Sequence, residues 1–201
     1  DNNGYLGGSA TAGMVGTFMT CMDTKGEKQI IKGFFEEFVQ GLLKENGARY
    51  HADCPGCDSY SGYRETGHIG VTPYDFEAFK RVAERLCKES GVKLIYHATL
   101  IKSEAVDGKV KSAYLALKDG IYQINADIFI DTTGDGALAY LAGAETMYGD
   151  EEGTIQNSTL FCTINGVDKE MLDEYVANSK DARERFYMDL IEESRKKGEF
   201  P

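Results

Sequence analysis

Apolar residues recur at helical spacing in three long stretches of the chain. The first covers residues 27–45, and its stripe of large apolar side chains ends at Asn46-Gly47. Two further patterns of the same kind cover residues 169–177 and 182–197. Because a spacing of three to four residues places these side chains on one face, each stretch is predicted to be an amphipathic helix.

A fourth helix is predicted from its end signals as well as from its apolar face. Thr72 can act as the N-cap, Pro73 suits the first helical position, and Asp75 completes a capping box. Gly91 follows the last apolar turn and favours the left-handed conformation that ends a helix. We therefore expect a helix over residues 73–91.

Between residues 92 and 131 the pattern changes to a period of two or to short continuous apolar runs, which is typical of strands. The pairs Asp107-Gly108 and Asp119-Gly120 predict tight turns between neighbouring strands. A three-stranded meander is therefore expected, with further strands on both sides of it. The predicted strands cover residues 92–97, 99–106, 109–117, 121–125, 126–131 and 155–164.

Two glycine-rich segments are the candidates for ligand binding. Residues 4–13 have too many glycines for a helix or a packed strand, and they predict a loop whose backbone closely approaches another group. Residues 133–136, Thr-Gly-Asp-Gly, lie between a predicted buried strand and a short predicted helix over residues 137–142, with Gly143 behind it. That order directs backbone N–H groups and a helix dipole at an anion. Taken singly, each segment is equally well explained as an ordinary turn with a cap.

Charge and composition exclude several classes of function. The 201 residues contain 22 Lys and Arg against 33 Asp and Glu, a net charge of −11, so nucleic acid is not an expected partner. No apolar run is long enough to span a bilayer, and no basic and then apolar leader opens the chain. Five cysteines, an odd number, favour reduced thiols. A cytoplasmic protein with no membrane partner is expected.

The order and spacing of these motifs resemble the FAD-dependent oxidoreductases of the glutathione-reductase-like and fumarate-reductase-related superfamily. In that superfamily an acidic residue at a strand end is followed by a Leu-Gly-Gly step and a loop of small residues, as in residues 1–11 here. Later a buried strand ends in a Thr-Gly-Asp-Gly turn, as in residues 128–136. The resemblance covers about residues 1–20 and 68–167.

The resemblance implies an α/β fold, with α+β character in this chain. Residues 1–20 and 68–153 would form a partial FAD/NAD(P)-binding domain with the three-stranded meander, and residues 21–67 and 154–201 part of a substrate or cap domain. The family's first βαβ unit with its G-x-G-x-x-G turn has no counterpart in the 201 residues. An interior fragment is therefore expected, whose exposed sheet edge favours self-association or cover by a neighbouring chain.

The resemblance further implies FAD as cofactor and hydride or electron transfer on an unidentified small molecule. Asp1 corresponds to the family's acidic residue that binds the ribose, and the main chain near Leu100 would contact the adenine. His68 is a candidate acid or base near the flavin, although an exposed loop histidine explains it equally well. The isolated chain is expected to be inactive and to bind FAD weakly. Gly7, Gly8, Ser9 and Thr11 would line the pyrophosphate and ribityl side of the cofactor. Gly134, Asp135 and Gly136 would hold its ribityl chain and phosphate.

The segment His51 to Cys57 contains two cysteines at C-x-x-C spacing, Cys54 and Cys57. Such a pair could bind zinc or cycle between thiol and disulfide. A structural zinc site needs four ligands, which Cys21 or His68 would have to complete from elsewhere in the sequence. We expect no bound metal and an inert or weakly reactive pair. Two other hypotheses stay open: a non-enzymatic binding domain on the same fold, and a cysteine-based metal or redox module.

Overall fold

A computed structural model describes residues 1–19, 21–54, 70–179 and 187–199. These residues form a mixed α+β structure with antiparallel sheets. The helices are α1 (Phe34–Lys44), α2 (Phe76–Glu89), α3 (Ala137–Leu141), α4 (Lys169–Asn178) and α5 (Met188–Lys197), and the strands are β1 (Thr17–Phe18), β2 (Thr72–Pro73), β3 (Thr99–Val106), β4 (Lys109–Leu117) and β5 (Gly120–Asn125).

The chain divides into two compact units, each built from two separate stretches. Asp1–Gly13 and Ala83–Phe161 form the first, which we call the sheet unit. Met14–Val82 and Cys162–Pro201 form the second, which we call the aromatic unit. The division into an FAD-binding domain and a cap domain stays a prediction. Within the described ranges, no helix combines the length and the apolar character that crossing a membrane requires.

The sheet unit is built around an antiparallel sheet in the order β3-β4-β5. These three strands lie where the alternating pattern predicts them. The β3–β4 turn has positive φ angles at both central residues, 51° at Asp107 and 72° at Gly108, as a tight hairpin turn requires. Helix α3 packs against β3, and Leu138 is its buried residue.

Three predicted strands are absent from the described structure, at residues 92–97, 126–131 and 155–164. Residues 92–97 contribute only isolated hydrogen bonds to the start of the chain, such as the one from the Asp1 ammonium group to the Ile95 carbonyl, 2.7 Å long. The segment 126–131, expected to be buried, leaves Ile128 and Ile130 78% and 81% exposed. Alternation in a sequence indicates which face would be buried, whereas a strand exists only where a neighbour completes the ladder.

Helix α2 begins later than predicted, because Asp75 and not Thr72 provides the N-cap. The Asp75 carboxylate accepts a hydrogen bond of 2.7 Å from the Ala78 N–H. Thr72 and Pro73 instead form the short strand β2, and the Thr72 side chain is fully buried. The predicted end is confirmed: Gly91 has a φ of 73° and lies just beyond the last helical turn.

Helix α1 begins at Phe34, although the apolar stripe predicts a start near residue 27. The N–H groups of Ile30 and Ile31 both donate to the Cys21 carbonyl, 2.9 and 3.1 Å away, and so cannot enter a helix. Both isoleucine side chains are exposed. At the other end of the chain, α4 and α5 lie within the predicted helical patterns, while residues 182–186 of the second pattern lie outside the described residues.

Aromatic rings form the core of the second unit. Phe38 and Phe79 have ring centroids 4.6 Å apart, and Phe18 and Tyr74 are 4.7 Å apart. Burial raises the pKa of Tyr74 to about 12, and its hydroxyl donates to the Val15 carbonyl. The fully buried aliphatic residues Val39, Leu42 and Val82 complete this core.

We predict that Asp75→Ala lowers the free energy of unfolding of the aromatic unit by about 1 kcal/mol, because the Ala78 N–H loses its capping acceptor. Asp75→Ser is the matched control, since a serine hydroxyl can accept the same hydrogen bond. Urea denaturation followed by circular dichroism measures both variants. Equal stabilities of the alanine and serine variants would contradict the role of Asp75 as N-cap.

Candidate cofactor-binding site

Every predicted cofactor-contacting residue lies in the sheet unit. The acid or base candidate His68 lies outside the described residues, as does Cys57. The predicted contacts form three groups: the start of the chain with Leu100, the loop that contains the 3-10 turn Gly8–Ala10, and the turn at residues 133–136.

The first residues of the chain lie beside the start of β3. The Ala98 N–H donates to the Asp1 carbonyl, 2.9 Å away, and the Thr99 hydroxyl donates to the Asn2 side-chain oxygen, 2.7 Å away. Leu100 is the next residue of β3, so the structure brings Asp1 and Leu100 into one neighbourhood. The Asp1 carboxylate is exposed and accepts one hydrogen bond, from the Asn3 N–H.

His97 lies against Gly4. A Cβ atom on Gly4 would come within 2.8 Å of the His97 Nε2 atom, so glycine is what allows this approach. No strand contains His97, which has a φ of 50°.

The glycine-rich loop is held together largely by its own backbone. The N–H groups of Ala10 and Thr11 donate to the carbonyls of Gly7 and Gly8. The Thr11 hydroxyl donates to the Leu6 carbonyl at 2.8 Å, and Thr11 is buried, so its side chain shapes the loop. Open space lies where a Gly8 side chain would be, and its φ is 49°. Within the described chain, the N–H groups of Gly8 and of the next residue have no acceptor.

The turn after residue 131 depends on one carboxylate. Asp131 Oδ1 accepts hydrogen bonds from the N–H and the hydroxyl of Thr133, at 2.9 and 2.8 Å. Asp131 Oδ2 accepts from the Ala139 N–H at 3.0 Å, and the Thr133 hydroxyl oxygen accepts from the Ala137 N–H at 2.9 Å. These four hydrogen bonds tie the turn to the beginning of α3. Sequence reasoning placed Asp131 only at the end of a buried strand and missed this role, which an acidic residue two positions before a Thr could have indicated.

The same turn presents an open, polar face. Gly134 and Gly136 have φ angles of 88° and 66°, and open space lies where a Cβ atom would be at either position. Asp135 is exposed and accepts no hydrogen bond from any described residue. The three successive N–H groups of residues 134–136 likewise lack an acceptor in the described chain. This face therefore offers both donors and a carboxylate acceptor.

The hydrogen bonds at the start of α3 bear on the anion site predicted at residues 133–136. The spacing of Gly134, Gly136 and Ala139 fits the short G-x-G-x-x-A form of a dinucleotide-binding turn. A pyrophosphate in such a turn is bound by free N–H groups at the helix start. Here the N–H groups of Ala137 and Ala139 already donate to Thr133 and Asp131. The N–H groups of Ala137 and Ala139 are therefore engaged within the chain, and a ligand at this turn would meet the amides of residues 134–136 and the Asp135 carboxylate.

The C-x-x-C segment is only partly within the described residues. Cys54 is buried, and His51, 3% exposed, has its Nε2 atom 3.7 Å from the Glu36 carboxylate. Partial burial acts to raise the pKa of Glu36. Hydrogen bonds from Gln40, Gln29 and Tyr50 outweigh this effect and hold the pKa of Glu36 below its usual range. In the described parts of the chain, no three His, Cys, Asp or Glu residues are grouped so that they could hold a metal ion.

Comparison with known proteins assigns the chain to a family. Residues 1–200 match the family model described as FAD dependent oxidoreductase. The chain belongs to this family. A search of curated proteins and a search of solved structures each found no match.

The residues of this FAD-dependent oxidoreductase fit the cofactor in two places. The open glycines and unpaired N–H groups at residues 8–9 and 134–136 leave room for a ligand to approach the backbone. The Asp135 carboxylate can accept hydrogen bonds from hydroxyl groups, of which FAD carries several on its ribityl chain. The donors at residues 8–9 are the better match for phosphate, because residues 4–13 contain no Asp or Glu.

We predict that Asp131 titrates below the usual Asp range. Hydrogen bonds from the Thr133 N–H, the Ala139 N–H and the Thr133 hydroxyl lower its pKa. Because the folded pKa is below the unfolded one, the charged form contributes stability above about pH 4 and loses it as the pH falls through the folded pKa. Carbon-13 NMR of the side-chain carboxyl, in the native and in the urea-unfolded chain, measures the two midpoints. Identical midpoints would contradict the hydrogen-bonded turn.

Proposed function

We propose that this chain carries part of the flavin site of an oxidoreductase that transfers a hydride or electrons to or from a small molecule. The observation that carries the proposal is the open turn at residues 134–136, with three donors and one carboxylate, in a chain of the FAD dependent oxidoreductase family. Bound FAD supplies the redox chemistry, and the polypeptide supplies orientation and electrostatics.

The turn at residues 134–136 is proposed to hold the ribityl chain. Asp135 would accept hydrogen bonds from ribityl hydroxyls, and the N–H groups of Gly134 and Gly136 would donate to ribityl oxygens. In support of this, no described residue beyond the chain neighbours lies within 4 Å of a Cβ built on either glycine. The nearby Asp131 carboxylate disfavours a phosphate at this position, since like charges repel.

The start of the chain and the glycine-rich loop are proposed to contact the adenosine and pyrophosphate parts. Asp1 has one carboxylate oxygen left for a ribose hydroxyl after bonding the Asn3 N–H. The strand register shifts after Leu100, and this interruption of the β3–β4 ladder leaves backbone groups for adenine. Gly7, Gly8 and Ser9 would approach the pyrophosphate, while Thr11 supports the loop from within.

The proposal also includes how the chain associates. Residues 126–131 form no strand, and their backbone groups find no partner in the described chain. The exposed side chains of Ile128 and Ile130 lie along this segment. An apolar, unpaired segment of this kind favours pairing with another chain, which supports self-association. With a net charge of −11, the chain has a small-molecule substrate and not nucleic acid as its proposed partner.

We predict that millimolar FAD shifts the amide NMR signals of residues 134–136 in the nitrogen-15-labelled chain. Asp135→Asn should weaken this binding about tenfold or more, because a charged acceptor is lost. Asp107→Asn is the matched control, because it makes the same change in the turn between β3 and β4, where asparagine also tolerates positive φ. FAD-induced shifts that avoid residues 134–136 would overturn the proposed site.

We also predict that the 201-residue chain binds FAD only weakly. The sequence contains no strand–G-x-G-x-x-G–helix unit, and the α3 N–H groups are already bonded within the chain. Each missing hydrogen bond to a charged group is worth about 1.5–3 kcal/mol, so two or three weaken binding by roughly two to seven orders of magnitude. Titration followed by flavin fluorescence or calorimetry measures the affinity. Saturable binding at micromolar concentration or tighter would contradict this prediction.

A further inference from the structure

We infer that Asp131 is a positioning residue of the flavin site, one that holds the turn at residues 133–136 open toward the cofactor without touching it. The inference rests on the proposed function, since it assigns the turn to the ribityl chain. It adds a residue that lies outside the Thr-Gly-Asp-Gly motif itself and acts through Thr133.

The geometry of the carboxylate carries the inference. Its Oδ1 atom accepts two hydrogen bonds from Thr133, and its Oδ2 atom accepts one from Ala139, eight residues further along the chain. Both oxygens are therefore used inside the protein, one on the turn and one on the helix. This fixes the two ends of the segment that contains Gly134, Asp135 and Gly136 relative to each other.

Helix α3 depends on this carboxylate because it has no cap of its own. Its N-cap is Gly136, which has no side chain and adopts a φ of 66°. A helix of five residues satisfies few of its first N–H groups internally. The Thr133 hydroxyl and the Asp131 carboxylate take the place of the missing cap at Ala137 and Ala139.

The arrangement also determines which N–H groups can reach a ligand. Asp131 and Thr133 bind the amides of residues 133, 137 and 139, and between residues 133 and 137 the amides of residues 134–136 have no acceptor in the described chain. Gly134 and Gly136 are flexible by nature, and ordering them at the moment of binding would reduce affinity. A turn held in place beforehand avoids that loss.

The test compares Asp131→Asn with Asp127→Asn, a matched loss of charge at an exposed carboxylate four residues earlier. Asparagine at position 131 can still accept from Thr133, but its amide nitrogen cannot accept from the Ala139 N–H. We expect the Ala139 amide of Asp131→Asn to exchange with water several-fold faster in NMR measurements. FAD affinity, read from the amide shifts of residues 134–136, should fall about tenfold, while Asp127→Asn keeps wild-type values in both measurements.

A second pair of variants separates positioning from general loss of stability. Thr133→Ser keeps the hydroxyl that bridges Asp131 and Ala137, and Thr133→Val removes it with little change in size. We expect the serine variant to bind FAD as the wild type does and the valine variant to bind about tenfold more weakly. The chemical shifts of β3–β5 should stay unchanged in all four variants.

The outcomes distinguish this inference from the proposal on which it rests. If the wild-type chain shows no FAD-induced shift at residues 134–136, the proposed function fails, and the cofactor role of Asp131 fails with it. If the wild type binds there and Asp131→Asn or Thr133→Val binds equally well, the proposed function stands and the positioning role is wrong. Unchanged exchange at Ala139 in Asp131→Asn would also overturn the inference.

Discussion

A backbone N–H group that already donates within its own chain cannot also bind a cofactor, and this constraint decides what the candidate site can do. The carboxylate of Asp131 and the hydroxyl of Thr133 take up the first N–H groups of α3. The amides of residues 134–136 are left over, together with the exposed carboxylate of Asp135. This division between engaged and open groups is the basis for assigning the turn to the ribityl chain in the proposed function.

Whether backbone N–H and C=O groups find a partner also explains the rest of the sheet unit. Strands β3, β4 and β5 satisfy one another, because each is joined to the next by a short turn and needs no distant partner. The segments at residues 126–131 and 155–164 have strand-like sequences but no neighbour in the described chain, and their apolar side chains are exposed. Backbone groups that lack a partner in this way are the ones that the proposed self-association would pair.

The aromatic unit is built on a different basis, in which packing of rings replaces a large sheet. The rings of Phe18, Phe38, Tyr74 and Phe79 lie within 6.1 Å of their neighbours, and the two-residue strands β1 and β2 pair beside them. Aromatic side chains bury large areas and favour such tilted and edge-on contacts. The unit therefore obtains its core from α1, from the first half of α2 and from the segments beside them.

Local features of the sequence determined the parts of this protein that need no distant partner. The hairpin turns, the strands β3–β5, the stop of α2 at Gly91 and the short helix α3 all follow from residues close together in the chain. Where α1 and α2 begin depended instead on which nearby acceptor each backbone N–H group bonds. The structure alone showed that Asp75, not Thr72, caps α2, and that the Cys21 carbonyl takes the N–H groups of Ile30 and Ile31 before α1.

Tertiary structure decided which extended segments become strands and which N–H groups stay open. The apolar run within residues 126–131 indicates a strand, but only a paired neighbour would make one, and the described chain provides none. The role of Asp131 depends on a hydrogen bond to Ala139 across a turn whose glycines both have positive φ. Residue types alone do not determine such a geometry, because it requires the position of the helix relative to the turn.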